Sequence, residues 1–342
     1  MFNIGKRKIS SKHKPLIICE LGINHNGSLS LAKKMVDIAY KNGAEVIKNQ
    51  SHILDEEMIG EAKKIKPLNA KTSIYDVIKK NLMKFEDEIK LMKYVKNKRM
   101  IYLSTPFSSK AADQLYKLGV SAFKIGSGEC NNIPFLKKIL RFKKPIILST
   151  GMNDLDSIKR SVRVIEKAKV KYALLHCKSE YPANYKNLRL DFLGTLRKHF
   201  PKAEIGYSDH SIGVLPSISA MAKGANIIEK HFTDNKKRQG PDIICSMDPK
   251  ELKLLKKAAD VIHYSNGADK KISKKEKSTA KFAFASVVSL TNIEKGELFS
   301  KKNIWVKRPG TGYFPAHKYY KLIGKKAKRF IKSDNFISKR DV

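Results

Sequence analysis

The chain has 342 residues, of which 42% are apolar and 8% aromatic, and its formal net charge is +38. This length exceeds what one hydrophobic core usually organises, and it predicts one large domain with a smaller one, while the apolar content excludes wholesale disorder. The sequence contains no apolar run near the roughly 20 residues that span a bilayer, which argues against a membrane-spanning protein.

The large positive charge attracts anions of every kind, including nucleic acid, acidic membrane surfaces and phosphorylated metabolites. Most lysines, however, are scattered at the spacing of solvated helix faces and are not gathered in one stretch. A nucleic-acid-binding protein is the alternative class that this charge suggests. Because the chain lacks basic motifs interleaved with aromatic residues, we expect no specific nucleic acid and no membrane among its partners.

The cysteines and the N-terminus indicate the compartment. Cys19, Cys130, Cys177 and Cys245 lie far apart and form no CxxC pair, which argues against a zinc ribbon or a disulfide framework. The first 15 residues are basic but lead into no hydrophobic signal core. We therefore expect a cytoplasmic protein.

Short β-branched apolar runs alternate with longer amphipathic segments from near the start of the chain to about residue 264. The connection at 50–99 is longer than the others and is expected to carry extra structure or a loop of its own. The predicted strands are 16–19, 45–49, 100–104, 121–125, 145–149, 172–177, 204–207 and 226–232.

Eight strand–helix units in about 260 residues match the number and size of a (β/α)8 TIM barrel, an α/β fold. A doubly wound open sheet is the alternative, but no glycine-rich dinucleotide fingerprint follows the first strand. We predict a TIM-barrel catalytic domain at 1–265 and a polar, lysine-rich linker at 266–281. A compact unit with strand signals follows at 282–342.

Polar side chains stand at the carboxyl ends of the predicted strands, where active sites of this barrel form. Cationic and hydroxyl side chains converging there would bind a phosphate and a carboxylate through charge-assisted hydrogen bonds. Each Ser or Thr taken alone is more often a helix N-cap. The members of this set are Lys48, Lys124, Thr105, Ser127, Ser149 and Ser208.

Two histidines, His210 and His231, end adjacent predicted strands. Side by side, two imidazoles can hold a divalent cation and leave positions open for substrate oxygens; otherwise each is a hydrogen-bonded loop or core residue. With no thiolate predicted nearby, a labile Mn²⁺, Mg²⁺ or Co²⁺ is favoured over structural zinc, with Mn²⁺ first.

Recognisable motifs follow one another along nearly the whole chain. They read ELGINHNGSLSLA, STPFSSKAA, AFKIGSGECNN, ILSTGMN, LLHC, GYSDHS, IIEKHFTD, RQGPDIICSMD, FAFASVVS and NIWVKRPGTG. In this order they resemble the bacterial N-acetylneuraminate (sialic acid) synthase family, which includes the legionaminic and pseudaminic acid synthases. The resemblance implies a TIM barrel followed by an antifreeze-like (SAF) domain that reaches the partner's active site in a homodimer.

The implied reaction is the condensation of phosphoenolpyruvate with N-acetylmannosamine to give N-acetylneuraminate and phosphate, with the metal on the two histidines. Glu129 would handle the proton of the attacking water, Glu20 is a second active-site carboxylate, and Lys48 and Lys124 would meet developing charge. The resemblance implies substrate contacts at Gln50, Asn69, Thr105, Ser127, Ser149, Ser179, Tyr181, Ser208, Asp242, Phe282 and Arg308.

Two positions depart from the family pattern. Asn49 replaces the usual His of the strand-two motif, and Ser179 replaces an Asn that contacts phosphoenolpyruvate. The alternatives therefore keep the same reaction on another aldehyde, either a 2,4-diacetamido-trideoxy sugar or N-acetylmannosamine 6-phosphate. An inactive sugar-binding relative is the remaining alternative.

Overall fold

The computed structural model describes residues 1–67 and 70–342. These residues divide into two compact units, Met1–Asn266 and Gly267–Val342.

Eight parallel strands form one sheet among the described residues of the first unit. They are β3 (Leu16–Gly22), β4 (Val46–Ser51), β5 (Ile101–Pro106), β6 (Phe123–Ile125), β7 (Ile146–Ser149), β8 (Tyr172–Cys177), β9 (Glu204–Asp209) and β10 (Ile227–His231). Their order across the sheet is β5-β4-β3-β10-β9-β8-β7-β6. The two end strands, β5 and β6, pack side by side, so the sheet curls into a near-closed TIM barrel, and the predicted fold is confirmed.

Alternation along each strand separates two hydrophobic clusters. On β3, Leu16 and Ile18 belong to one cluster, whereas Ile17 and Cys19 belong to the other, which includes the helices. Successive strand side chains point to opposite faces, so the first cluster fills the barrel interior and the second packs the helix layer. Glu20 continues the inward-facing row at the carboxyl end of β3. The interior therefore changes from apolar to polar along the barrel axis.

The helices of the first unit begin at recognisable caps. Ser28, Asp154 and Asp248 each accept a hydrogen bond from a backbone N–H of the first turn that follows. The helices are α1 (Leu29–Lys41), α2 (Leu54–Glu57), α3 (Ile74–Asn81), α4 (Phe85–Asn97), α5 (Ser109–Lys117), α6 (Ile133–Leu140), α7 (Leu155–Lys167), α8 (Phe192–His199), α9 (Leu215–Ala222) and α10 (Pro249–Ser265). The long connection at 50–99 thus carries α2, α3, α4 and a 3₁₀ turn at Gly60–Lys64.

An N-terminal hairpin that the sequence did not predict joins the interior cluster. Strands β1 (Phe2–Ile4) and β2 (Arg7–Ile9) pair antiparallel, and their apolar side chains pack with the barrel's inward-facing residues. The Arg7 Nε atom donates to Glu45 Oε2 at 3.0 Å, and Lys256 pairs with the other oxygen of Glu45. The hairpin therefore fills the barrel end opposite the polar strand ends.

The second unit begins within the predicted linker. Helix α11 (Lys274–Ala283) forms there, and Ser273 and Glu276 close its first turn as a capping box. Strands β11 (Ser286–Ser289) and β12 (Ile304–Lys307) pair antiparallel around a core that includes Phe299. The helices within residues 1–67 and 70–342 include none long and apolar enough to cross a membrane. The four cysteines are buried free thiols.

Candidate active site

A cavity of about 270 Å³ lies at the carboxyl ends of the barrel strands. Its lining includes side chains from every barrel strand or from the loop that follows it, because parallel strands bring these ends to one edge. Twelve residues predicted from the sequence line it: Glu20, Lys48, Gln50, Thr105, Lys124, Ser127, Ser149, Ser179, Tyr181, Ser208, His210 and His231.

Lys48 is held between a carboxylate and a hydroxyl. Its ammonium donates to Glu20 Oε1 at 2.6 Å and to Thr105 Oγ1 at 3.1 Å, and Gln50 Nε2 donates to the same Glu20 oxygen at 2.8 Å. Burial by itself lowers the pKa of Lys48, but Glu20 and Glu229 outweigh it and raise that pKa above its ordinary value. Lys48 therefore remains a cation inside the barrel.

Lys124 lies beside a carboxylate that was not among the predicted site residues. Its ammonium donates to Ser149 Oγ at 2.8 Å and lies 3.4 Å from Glu229 Oε1, which also accepts from Ser208 Oγ at 3.0 Å. Burial lowers the pKa of Lys124; the attraction of Glu229 does not offset this, and Lys48 lowers the pKa further. Of the two lysines, Lys124 gives up its proton more readily.

Glu20 is ionised despite its burial. Burial raises the pKa of this carboxyl, but Lys48 and His231 outweigh burial and hold the pKa well below its usual range. The Glu20 and Glu229 carboxylates together balance the two lysines. A ligand with both a phosphate and a carboxylate therefore needs further positive charge in the cavity, and a divalent cation would provide it.

The two histidines face each other across the cavity, with ring centroids 5.7 Å apart. His210 Nδ1 lies 2.8 Å from the carbonyl oxygen of Lys178, an arrangement that assigns the proton to Nδ1 and leaves the Nε2 lone pair towards Tyr181 Oη at 3.1 Å. His231 Nε2 lies 3.8 Å from Glu20 Oε2.

The chemistry of this donor set fits a divalent cation. His231 Nδ1 and Glu229 Oε2 are buried without a hydrogen-bond partner among the described residues. Burial lowers the pKa of His210, while Cys177, whose Sγ lies 3.7 Å from His210 Nδ1, and the carbonyl of Lys178 raise it to about 9. A cation bound to this imidazole would therefore displace a proton, and the expectation that no thiol lies near the histidines is wrong. The part of the chain that the structure describes has no group of three or more His, Cys, Asp or Glu side chains arranged around a metal position. Two histidines would leave the remaining positions to water and substrate oxygens.

Gly22 explains how the chain passes so close to His231. Its φ is +54°, and a Cβ atom there would come 2.9 Å from His231 Nδ1. Only glycine tolerates both the left-handed backbone and this close approach. The glycine that ends β3 therefore lets the backbone pass beside His231.

A second cavity of about 580 Å³ adjoins the first. The two share Gln50, Ser179 and Tyr181 in their walls, so we call them the inner and outer cavities of one cleft. Asp242, a predicted substrate contact, lines the outer cavity, and its Oδ2 lies 3.8 Å from His231 Nδ1.

Several predicted residues lie elsewhere. Glu129 follows the cavity-lining Gly128 but is not among the lining residues, because the 3₁₀ turn Ser127–Glu129 directs its carboxylate to Asn132 Nδ2, 2.5 Å away. Asn69 falls outside the described residues. Phe282 and Arg308 are exposed residues of the second unit.

The two departures from the family pattern have different surroundings. Asn49 is buried on the outward face of β4, where its Oδ1 lies 3.1 Å from His25 Nε2, and it is not among the described residues that line either cavity. Ser179 lines both cavities. The Ser179 replacement can therefore alter ligand contacts directly, whereas the Asn49 replacement acts on the loop that carries His25.

A fully buried ion pair that sequence reasoning missed supports both histidines. Lys230 Nζ lies 3.2 Å from Asp209 Oδ2, and both side chains are 0% exposed. Asp209 also accepts from the Ser211 backbone N–H and from the Ser211 and Ser217 hydroxyls. Each member of the pair immediately precedes one of the two histidines in sequence, so the pair fixes both strand ends.

The chain is similar in sequence to a known family of synthases and to a known small domain. The NeuB family model matches residues 35–271, and the SAF domain model matches residues 284–342. The chain is 40% identical to the N,N'-diacetyllegionaminic acid synthase of Campylobacter jejuni over 95% of this chain and 99% of that protein. It is 32% identical to the pseudaminic acid synthase of the same species, over 96% of each chain.

A solved structure agrees in fold. The N-acetylneuraminic acid synthetase of Leptospira borgpetersenii, crystallised with citrate, superposes with a TM-score of 0.74 at 31% identity, covering 81% of this chain and 94% of that one. The barrel, the two-lysine, two-histidine cleft and the SAF domain define a synthase of the sialic acid type. The chain belongs to the NeuB family.

Proposed function

We propose that this enzyme condenses phosphoenolpyruvate with an N-acetylated amino-sugar aldehyde in a reaction that depends on a divalent cation. C3 of phosphoenolpyruvate forms a bond to the aldehyde carbon, and the aldehyde oxygen gains a proton. Water adds at C2 and loses its proton, and the C2–O bond then breaks to release phosphate. The product is a 2-keto acid longer than the aldehyde by three carbons.

The observation that carries the proposal is the convergence of Lys48 and Lys124 with hydroxyl groups around the inner cavity. Ammonium and hydroxyl groups donate to phosphate and carboxylate oxygens. They are already oriented by the ion pairs with Glu20 and Glu229, so they need little rearrangement when charge develops at C2 and on the leaving phosphate.

His210 and His231 are the proposed holders of the cation, with Mn²⁺ as the first candidate. When bound, the cation would act as a Lewis acid towards the aldehyde oxygen. Tyr181, stacked on His210 with ring centroids 4.1 Å apart, closes this side of the cleft and orients the sugar. Asp242 offers its carboxylate to sugar hydroxyl or amide groups in the outer cavity.

Glu129 remains the proposed acid–base group for the attacking water. It follows Ser127 and Gly128, which line the inner cavity, so a different side-chain rotamer would turn its carboxylate to the cavity rim. We also propose a homodimer in which Arg308 and Phe282 of the SAF domain complete the partner's cleft. Both side chains are exposed and available for such a contact.

The test is metal-restored turnover. Protein stripped with a chelator receives Mn²⁺, phosphoenolpyruvate and each candidate aldehyde in parallel, and release of phosphate and of 2-keto acid is followed. We expect turnover to return with Mn²⁺ and to fall at least about 1,000-fold in His210→Ala and His231→Ala. His199→Ala, on the carboxyl end of α8, is the matched control and should retain activity. Absence of phosphate release with every aldehyde would identify the chain as an inactive relative.

A further inference from the structure

The outer cavity has one wall of a different chemical character from the rest of the cleft. Apolar side chains of α3 and of the segment before it make this wall, whereas the shared boundary with the inner cavity is polar. We propose that this specificity wall selects aldehydes whose far end is apolar, an inference that rests on the proposed function. The wall is defined as Pro67, Ala70, Ile74, Val77 and Ile78.

The direction of the aldehyde in the cleft follows from the two cavities. The reacting carbon has to lie near the inner cavity, beside His210 and His231. Gln50 and Tyr181, on the shared boundary, are within reach of the groups next to that carbon. The remaining carbons then extend into the outer cavity, so the end of the sugar farthest from the aldehyde meets the wall.

The wall favours the binding of a methyl group and disfavours the binding of a hydroxyl group. A hydroxyl pressed against Ile74 or Val77 gives up its hydrogen bonds to water, and these side chains offer no replacement. A methyl group in the same place gains from removal of apolar surface from water. The preferred aldehyde therefore has a deoxy carbon at its far end, as a 2,4-diacetamido-2,4,6-trideoxy sugar has.

The charge around the outer cavity disfavours a phosphorylated far end. Glu180 and Asp242 are acidic, and the lining contains no lysine or arginine among the described residues. Two basic residues that follow β10 are already paired: Lys236 Nζ lies 2.6 Å from Glu251 Oε2, and Arg238 donates to Asp234. Neither residue belongs to the described lining of the outer cavity.

The experiment compares kcat/KM for three aldehydes with the Mn²⁺-loaded, full-length enzyme. These are the 2,4-diacetamido-2,4,6-trideoxy aldose, N-acetylmannosamine and N-acetylmannosamine 6-phosphate. We expect the first to exceed the second by at least about tenfold, since a single added methylene changes the discrimination of an apolar pocket by that factor or more. The phosphorylated sugar should be the poorest. Equal or better turnover of either hydroxylated sugar would overturn the specificity wall and leave the proposed function intact.

A variant of the wall makes the inference specific to these residues. Val77→Thr keeps the shape of the side chain and replaces one methyl by a hydroxyl, so the preference for the deoxy sugar should shrink severalfold. Val261→Thr, at an exposed position of α10, is the matched control and should leave the ratio unchanged. An unchanged ratio in Val77→Thr, with turnover preserved, would contradict the role of α3. Loss of phosphate release from wild-type enzyme with every sugar would instead contradict the proposed function.

Discussion

The buried ion pair beneath the histidines leads to a quantitative prediction. In Lys230→Met, Asp209 keeps four neutral hydrogen-bond donors, the Tyr207 hydroxyl at 3.4 Å among them, but loses its counter-charge at a position with 0% exposure. Removing one partner of such a pair costs about 3–5 kcal/mol, because the remaining charge stays buried without compensation. We expect the free energy of unfolding of the barrel to fall by that amount. The double variant Asp209→Asn/Lys230→Met should recover part of it, since it removes both charges.

The assay is guanidinium denaturation followed by far-ultraviolet circular dichroism, which reports mainly on the barrel helices. Trp305, the one tryptophan, lies in the second unit and therefore gives a separate fluorescence signal. Lys223→Met is the matched control: its pair with Asp191 is 2.6 Å long but exposed, and such pairs contribute about 0–1 kcal/mol. If Lys230→Met cost no more than Lys223→Met, the buried-pair reasoning would be refuted.

Two further predictions concern close packing and pH. In Gly151→Ala the new Cβ would lie 2.8 Å from Ser127 Oγ and still closer to Ser179 Oγ. Displacement of these two hydroxyls should raise the KM for phosphoenolpyruvate about tenfold. The control Gly194→Ala, whose Cβ meets no atom within 4 Å, should leave this KM unchanged, and equal KM values for both variants would contradict the reasoning. Burial raises the pKa of Glu45, but its two basic partners outweigh burial and hold the pKa below its usual range. The ionised carboxylate therefore stabilises the fold above its unfolded pKa of about 4.3, and this stabilisation is lost as the pH falls through the lower folded-state pKa. Denaturation of Glu45→Gln at several pH values should show a deficit at pH 7 that shrinks below about pH 4.5, and a constant deficit would contradict the ion pairing.

The barrel could be predicted from the sequence because most of its strands begin with a short apolar run. Parallel strands buried on both faces have this composition, and all eight predicted strands are present. The N-terminal hairpin was missed because its two strands are three residues each, too short for a pattern. Helix α11 was missed because its surface is almost wholly polar, although Ser273 and Glu276 have the spacing of a capping box.

The part of the cleft that side chains at the strand ends form could be predicted from the sequence. Glu229 could have been found by alternation, since it lies two residues before His231 on the same face of β10. Lys230 could not have been found from the sequence, because a lysine within a strand resembles a solvent-facing residue until its partner Asp209 is known. The apolar wall on α3 was also unpredictable, because only the folded connection brings that helix over the cleft.

The fate of the oxygen that joins C2 of phosphoenolpyruvate to phosphorus tests the central claim most directly. Phosphoenolpyruvate labelled with ¹⁸O at this bridging position is turned over with the Mn²⁺-loaded enzyme and the preferred aldehyde, and both products are analysed by mass spectrometry. Addition of water at C2 followed by C–O cleavage predicts that the label leaves with phosphate, in equal amounts to the 2-keto acid formed. Phosphate without the label, or label released without an aldehyde present, would contradict the account.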